Sequence, residues 1–568
     1  MIEEATYVAH LEQLWAMHWP KDLPRAPVYP FGEIPLGEYL SRWAEQAPDK
    51  PAVIFYGAVM TYAELDEASD KFAALMASHG VKKGDPVCVF MQNCPQYHIV
   101  FLGLLKLGAI HAPVSPMSRA LELSYQLQDT GARVIVTLDQ LMPTVREADR
   151  SAVETIFVTS VAEALPADPA IPVPASIAAP KIACPDAIDL LPALQAVTAP
   201  PPPRATDLDA PAALNYTSGT TGMPKGCVHT QRDMLYTAAT GAIIGLSLTP
   251  EDVMLNFVPE FWIAGEDLAL IFPIFCGCPL VLLARWDAEG FMAAVDRYKV
   301  TQAYALVDSV VEVMEHKDVA RYDLSSLKAL RVSSFVKKLS IAYRRQWEKL
   351  TGGTLIEAAF GMTETQTFDT FTAGQQHDDM DLKSRPIFVG LPMPGTQFKV
   401  CSFETGELLP LGEEGEICVR SPSLLKGYWR KPEASAEALR NGWLRTGDNG
   451  MIDADGFLHY LGRRKEMLKV NGMSVFPAEI EALLGQHSDI IGSGVVGIPH
   501  PERGEQPVAF VRLRTGASAT PDDIIAWCRK NMSGFKVPRV VVVDELPLTA
   551  TGKVKKNELV DMLTQQTA

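Results

Sequence analysis

The chain has 568 residues, 47% of them hydrophobic and 21% charged, which is more than one core supports and predicts a soluble protein of two or more domains. A formal net charge of −17 argues against a general nucleic-acid binder, which would carry a basic excess. The nine cysteines form no CxxC and the eleven histidines no HxxxH or HExxH, so a disulfide framework and a structural metal site are not expected, and reduced thiols in a cytoplasm are.

The start, Met1-Ile-Glu-Glu, lacks the basic and apolar regions of a signal peptide. From Pro51 onward strands alternate with helices. Ala52–Phe55 reads as a strand, Thr61 as the N-cap of a helix, and Pro86–Phe90 as a second strand. Tyr97–Leu107 is an apolar helix that ends at Gly108, and Arg133–Thr137 is a further strand. This alternation predicts an α/β fold, a largely parallel sheet covered on both faces. Residues 160–211 are rich in Ala and Pro and read as a surface excursion or linker rather than core. Leu268–Ala284 is the longest uncharged run. It falls short of the ~20 residues of a membrane span and predicts a buried helix followed by a strand at Leu280–Leu283, so no transmembrane segment is expected. Cys276-Gly-Cys278, within it, reads as buried small residues. Gly415–Arg420 and Gly456–Tyr460 read as antiparallel strands. Beyond Gly462 the composition turns basic, with Arg463, Arg464, Lys465 and Lys469 in one cluster and Lys553, Lys555 and Lys556 in another. A compact α+β tail of ~100 residues follows, which divides the chain into 1–464 and 465–568.

The most informative stretch is Tyr216-Thr-Ser-Gly-Thr-Thr-Gly-Met-Pro-Lys-Gly226. Its glycines permit a tight turn that aims several N–H groups at one point, and its hydroxyls add rotatable donors. A polyphosphate suits such a cradle, although the spacing is not that of a Walker-A loop.

That stretch resembles the signature of the adenylate-forming enzymes: acyl-CoA synthetases, adenylation domains and beetle luciferases. Leu107-Gly-Ala, Phe360-Gly-Met-Thr-Glu364, Gly442-Trp-Leu-Arg-Thr-Gly-Asp448, Gly462-Arg-Arg-Lys-Glu466, Pro477-Ala-Glu-Ile-Glu481 and Pro547-Leu-Thr-Ala-Thr-Gly-Lys553 resemble further motifs of that superfamily, in its order. The match is most like a bacterial-type fatty-acid or aryl-acid CoA ligase. It implies a large N-terminal domain of sheets flanked by helices and a smaller mobile C-terminal domain. It also implies ATP, Mg²⁺, coenzyme A and a small carboxylic acid as ligands, with acyl-AMP formed first and a thiol displacing AMP second.

The resemblance also implies roles. Thr217, Ser218, Gly219, Thr220, Thr221 and Gly222 would hold the β- and γ-phosphates, assisted by Lys225. Lys553 would bridge the acid and the α-phosphate, and Glu364 would be the Mg²⁺ ligand. Phe360, Gly361 and Thr363 would line the nucleotide, with Phe360 on adenine. Asp448 would accept from the ribose hydroxyls, and Arg463 would contact ribose or phosphate, with Lys469 nearby. Lys465 would be the hinge about which the small domain rotates, and Gly472 would line the thiol tunnel. Phe261, Trp262, Ser334 and Phe335 would border the acid.

Two departures stand out. In Pro259-Glu-Phe-Trp-Ile-Ala-Gly265 the tryptophan replaces the superfamily's histidine, and Val332-Ser-Ser-Phe-Val336 replaces a Gly-rich stretch. No aspartate follows Phe261, which argues against an α-amino acid. Glu260, Trp262 and Glu266 could instead suit a cationic, betaine-like acid. A ligase that loads a carrier protein, a luciferase-like oxygenase and a non-catalytic nucleotide binder are the rival readings. A homodimer is left open.

Overall fold

The structure is a computed structural model that describes residues 3–567 except 218–222, 359, 384–386, 471–472, 502 and 550–551. Two seven-stranded sheets form the body. In the first the order is Thr354–Glu357, Ala329–Ser333, Gln302–Leu306, Met254–Asn256, Leu280–Leu282, Pro51–Phe55 and Ala58–Thr61. In the second it is Ile188–Asp189, Thr155–Thr159, Val134–Leu138, Pro86–Phe90, Ile110–Pro113, Pro211–Tyr216 and Gly226–Thr230. Neighbours run parallel except for one terminal hairpin in each sheet, Pro51–Phe55 with Ala58–Thr61 and Pro211–Tyr216 with Gly226–Thr230. Val134–Leu138 is buried at every position, as a strand covered on both faces must be.

Helix Pro95–Leu107 is buried along its whole length and ends on Gly108 in the left-handed conformation. It packs on helix Tyr62–Ser78, whose Thr61 and Glu64 form a reciprocal capping box. The approach is close enough that a Cβ on Gly103 would lie 2.8 Å from Ser69 O. Burial of Lys106 on this helix is offset by Asp66 at 2.7 Å and Asp70 at 2.8 Å.

A third, antiparallel sheet is built from Thr370–Phe371, Ile387–Pro392, Leu458–Arg463, Trp443–Ile452, Gly415–Arg420 and Gln397–Cys401, with Leu439–Arg440 beside Trp443–Ile452. Helix Glu4–His18 straps it through Trp15 Nε1–H to Gly456 O at 2.8 Å. A 3₁₀ turn, Arg464–Glu466, leads into the fourth sheet, made of Met473–Val475, Leu468–Val470, Gly504–Leu513, Ile490–His500 and Arg539–Val542. Helices Pro477–Leu484, Pro521–Asn531 and Lys556–Thr567 accompany that sheet, and it has an apolar cluster of its own. The α/β class and the smaller α+β tail are as expected.

Residues 160–211 differ from expectation. Ile171, Ile177, Leu190, Leu194 and Leu208 are all buried in the main core, and Ile188–Asp189 extends the second sheet. Isolated apolar anchors, spaced by Pro and Ala, pin an extended chain without giving it a periodicity that can be read. The run from Leu268 is a π-type turn, Glu266–Ile271, then helix Phe272–Cys276, then strand Leu280–Leu282. The nine cysteines are free and buried. Among the described residues no helix is long and apolar enough to cross a membrane.

Arg344 is 1% exposed and binds Asp379 at 2.9 Å and Asp381 at 2.6 Å. Arg344→Met leaves buried Asp381 without its cation, while Asp379 keeps Arg345 at 2.6 Å, and is expected to cost about 3–5 kcal/mol, read as a lowered unfolding midpoint in urea.

Candidate active site

The hairpin Pro211–Tyr216 and Gly226–Thr230 carries the Ser/Thr/Gly loop at its tip. Thr217 N–H donates to Lys225 O at 3.0 Å and closes the loop's neck. Ser218, Gly219, Thr220, Thr221 and Gly222 lie outside the described residues, as does Gly472.

Lys225 Nζ sits 4.2 Å over the ring of Tyr428, and the Tyr428 hydroxyl donates to Glu364 Oε1 at 3.0 Å. Burial and the charge of Glu364 push this hydroxyl well above the usual tyrosine range. Tyr428 reaches the site because Cys227 and Tyr428 form a β-bridge, with Val228 N–H on Gly427 O at 3.0 Å and Trp429 N–H on Gly226 O at 2.8 Å. Its sequence signal is faint: an aromatic pair after Lys426-Gly427, a turn pattern that names no chemistry.

Glu364 stands on the 3₁₀ turn Thr363–Thr365. Three donors fix that turn: His229 Nε2–H to Thr363 O at 2.6 Å, Leu425 N–H to Glu364 O at 2.9 Å and Ser423 Oγ–H to Thr365 O at 2.8 Å. His229 is fully buried and was not singled out from sequence. Gly361 runs beside the backbone of Thr367, where a Cβ would lie 2.4 Å from Thr367 O, so no larger residue fits. Phe360 is 8% exposed, and its ring lies among Phe398 and Tyr460 at 6.1 and 6.2 Å. Most of that ring belongs to the core of the third sheet rather than to an open nucleotide face.

Among the described residues no group of three His, Cys, Asp or Glu could hold a metal. Glu364 is a single, partly exposed carboxylate next to the phosphate-type loop. That suits Mg²⁺, which keeps its waters and takes one or two carboxylates together with substrate phosphates.

Asp448 and Arg463 are register partners on adjacent antiparallel strands. Arg463 Nε lies 2.7 Å from Asp448 Oδ1, without the alignment of a hydrogen bond. Asp448 is 2% exposed, and burial pushes its carboxyl up to about 6 against the pull of Arg463. Lys553 arrives from the far end of the chain. Burial in the cleft and the charge of Arg463 hold its ammonium below the ordinary lysine range, with Asp448 and Glu466 opposing. Its Nζ lies 5.3 Å from the Phe335 ring centre, although part of the side chain stays open to solvent. Thr551, in the turn before it, is outside the described residues. Gly552 has φ +78°, and a Cβ there would meet Leu306 at 2.7 Å. Lys465 is exposed in the turn between the third and fourth sheets. Lys469 lies on strand Leu468–Val470, where its N–H donates to Glu505 Oε2 at 2.6 Å.

On the acid side, Trp262 and Phe335 approach to 6.5 Å, and Phe261 is half-buried. Gly265 closes the turn, because a Cβ there would lie 2.0 Å from Pro259 O. Glu260 and Glu266 do not form an open anionic wall. Glu260 is fully buried against His98 Nε2 at 2.8 Å, and Glu266 meets His111 Nδ1 at 3.0 Å. Ser334 is anchored on Glu357. Its Oγ–H donates to Glu357 Oε2 at 2.5 Å and its N–H to Glu357 Oε1 at 2.9 Å.

Comparison with known proteins shows the family of the chain. The profile of the AMP-binding enzyme family matches residues 40–429, and that of the AMP-binding enzyme C-terminal domain matches 479–553. The chain is 33% identical to a long-chain-fatty-acid–CoA ligase of Bacillus subtilis (strain 168), over 97% of this chain and 98% of that protein. It is 29% identical to a feruloyl-CoA synthase of Amycolatopsis sp, over 92% and 98% respectively. Among solved structures, an anthranilate CoA ligase in complex with anthranoyl-AMP superposes with a TM-score of 0.79, at 27% identity, over 95% of this chain and 98% of that one.

Asp448 can accept hydroxyl donors fully only as a carboxylate, and its carboxyl is pushed up to about 6. AMP affinity is therefore expected to fall, by up to about tenfold per pH unit, as pH drops below that point. Calorimetric titration of the wild type across this range should show the fall, and Asp448→Asn should bind weakly with no such dependence.

Proposed function

This chain belongs to the AMP-binding enzyme family and is an AMP-forming acid–thiol ligase, and we propose that it activates a fatty or aryl carboxylic acid with ATP and transfers the acyl group to coenzyme A. One observation carries the reading. Lys225, Glu364, Asp448, Arg463 and Lys553 come from distant parts of the chain and are linked pairwise: Lys225 to Glu364 through Tyr428, Glu364 to Asp448 by charge, Asp448 to Arg463 and Lys553, and Lys553 to Phe335 beside Trp262.

In the first step an acid carboxylate oxygen attacks the α-phosphorus of ATP. The bond to the β-phosphate oxygen breaks, and pyrophosphate leaves with the electron pair. Two anions must approach, so a cation has to stand between them, and Lys553 is the group placed to do so. Asp448 holds the ribose through its hydroxyls, and Arg463 keeps Asp448 ionised. Glu364 would hold Mg²⁺, whose charge would offset that of the phosphates. The His229 and Tyr428 hydrogen bonds keep that carboxylate in place. In the second step the thiol sulfur of CoA attacks the acyl carbon and AMP departs. The division at 464/465 and rotation about Lys465 would bring the thiol to the same carbon.

A cationic acid is less favoured, because Glu260 and Glu266 are engaged by His98 and His111.

Lys553→Ala should lower acyl-AMP formation about 10²–10³-fold while thioester formation from supplied acyl-AMP stays within a few-fold. The check is pyrophosphate exchange against single-turnover CoA transfer; equal loss of both would remove Lys553 from the proposed role. In a panel of benzoic, cinnamic and fatty acids, Trp262→Ala should shift preference toward bulkier acids, because it removes the largest side chain of the proposed acid wall. An unchanged profile would put the acyl pocket elsewhere.

A further inference from the structure

The segment that replaces a Gly-rich stretch is tied down rather than flexible. Ser334 is held twice by Glu357, and Leu339 N–H donates to Ser334 Oγ at 2.8 Å. Lys338 Nζ donates to Ser334 O and Phe335 O, each at 3.1 Å, and Lys337 N–H donates to Asp308 Oδ2 at 3.2 Å. The segment from 334 to 339 is thus hydrogen-bonded at both ends, and it follows strand Ala329–Ser333 of the first sheet.

The next side chain leaves that sheet's core altogether. Val336 is 7% exposed and is buried with Val496, Val508, Phe510, Leu546, Leu559 and Leu563, all from the C-terminal region. Gly492 receives it closely: a Cβ there would lie 2.6 Å from Val336 Cγ1. Lys338 passes alongside, where a Cβ on Gly485 would lie 2.7 Å from its Cγ. Phe335, one residue earlier, faces Trp262 and Lys553 Nζ. A single short segment therefore reaches the acid wall, the essential ammonium and the core of the small domain.

We propose that Val336 is a positioning residue for adenylation: an apolar knob, fixed by Glu357 through Ser334, that docks the C-terminal domain with Lys553 over the site. The proposal rests on the reading that this domain is docked for acyl-AMP formation and leaves for thioester formation. Removal of the knob's apolar surface should disfavour only the docked arrangement.

The test uses two changes on opposite sides of the contact. Val336→Thr keeps the shape and adds a hydroxyl, and Gly492→Ala places a methyl against Val336. Each is expected to lower kcat for pyrophosphate exchange about tenfold, with KM for acid and ATP little changed and CoA transfer from supplied acyl-AMP within about twofold. Spin labels at Leu121→Cys and Val542→Cys, both exposed in the wild type, should report one dominant distance, and a second one when Val336→Thr is added. Equal effects on both half-reactions at an unchanged unfolding midpoint, or no effect on either with a single distance retained, would overturn the proposal. A wild type that exchanges no pyrophosphate with any acid would instead overturn the functional reading, and the label distances would still decide whether Val336 docks the domain.

Discussion

The ion pair between Asp448 and Arg463 is the constraint on which the rest of this site depends. The two residues face each other across neighbouring strands at the end of the third sheet, just before the chain leaves for the C-terminal region. A buried carboxylate is costly, and here its burial is only partly offset by the guanidinium. The arrangement keeps a carboxylate of raised proton affinity within reach of Lys553 and leaves that lysine at a lowered one. A site that must join two anions needs cations that are present yet not neutralised by structural partners. Lys553 reaches the pair of Asp448 and Arg463 from near the far end of the chain.

Around that centre, positioning is done by groups with no chemistry of their own. His229 holds the carbonyl of Thr363, and Tyr428 holds Glu364 while carrying Lys225 on its ring face. Glu357, with its carboxyl pushed up to about 7 by burial, spends both oxygens on Ser334. A fixed arrangement of this kind costs nothing at the moment of reaction, because the dipoles are already oriented.

Much of the fold was legible locally. The strand at Pro86–Phe90, the Thr61 cap and the Gly108 stop are set by residues within a few positions of one another, so propensity and capping suffice. Core anchors in the Pro- and Ala-rich segment were not, since Leu190 and Ile171 are buried by contacts with strands far away in sequence. The partners of Phe360 and Ser334, namely Phe398, Tyr460 and Glu357, were not legible either, because they lie far away in sequence. Glu260 and Glu266 looked available until two buried histidines occupied them.

By itself the amino-acid order determined the α/β class, the glycine-rich phosphate-type loop and the set of candidate ionisable groups, because each rests on local backbone freedom or on residue chemistry. Only the tertiary structure decided which of those groups share a cleft. It put Lys553 beside Asp448 and Phe335, turned Ser334 toward Glu357, and sank Val336 into the C-terminal core. The reason is physical: burial and charge pairing depend on distances between segments hundreds of residues apart, and no periodicity along the chain encodes them.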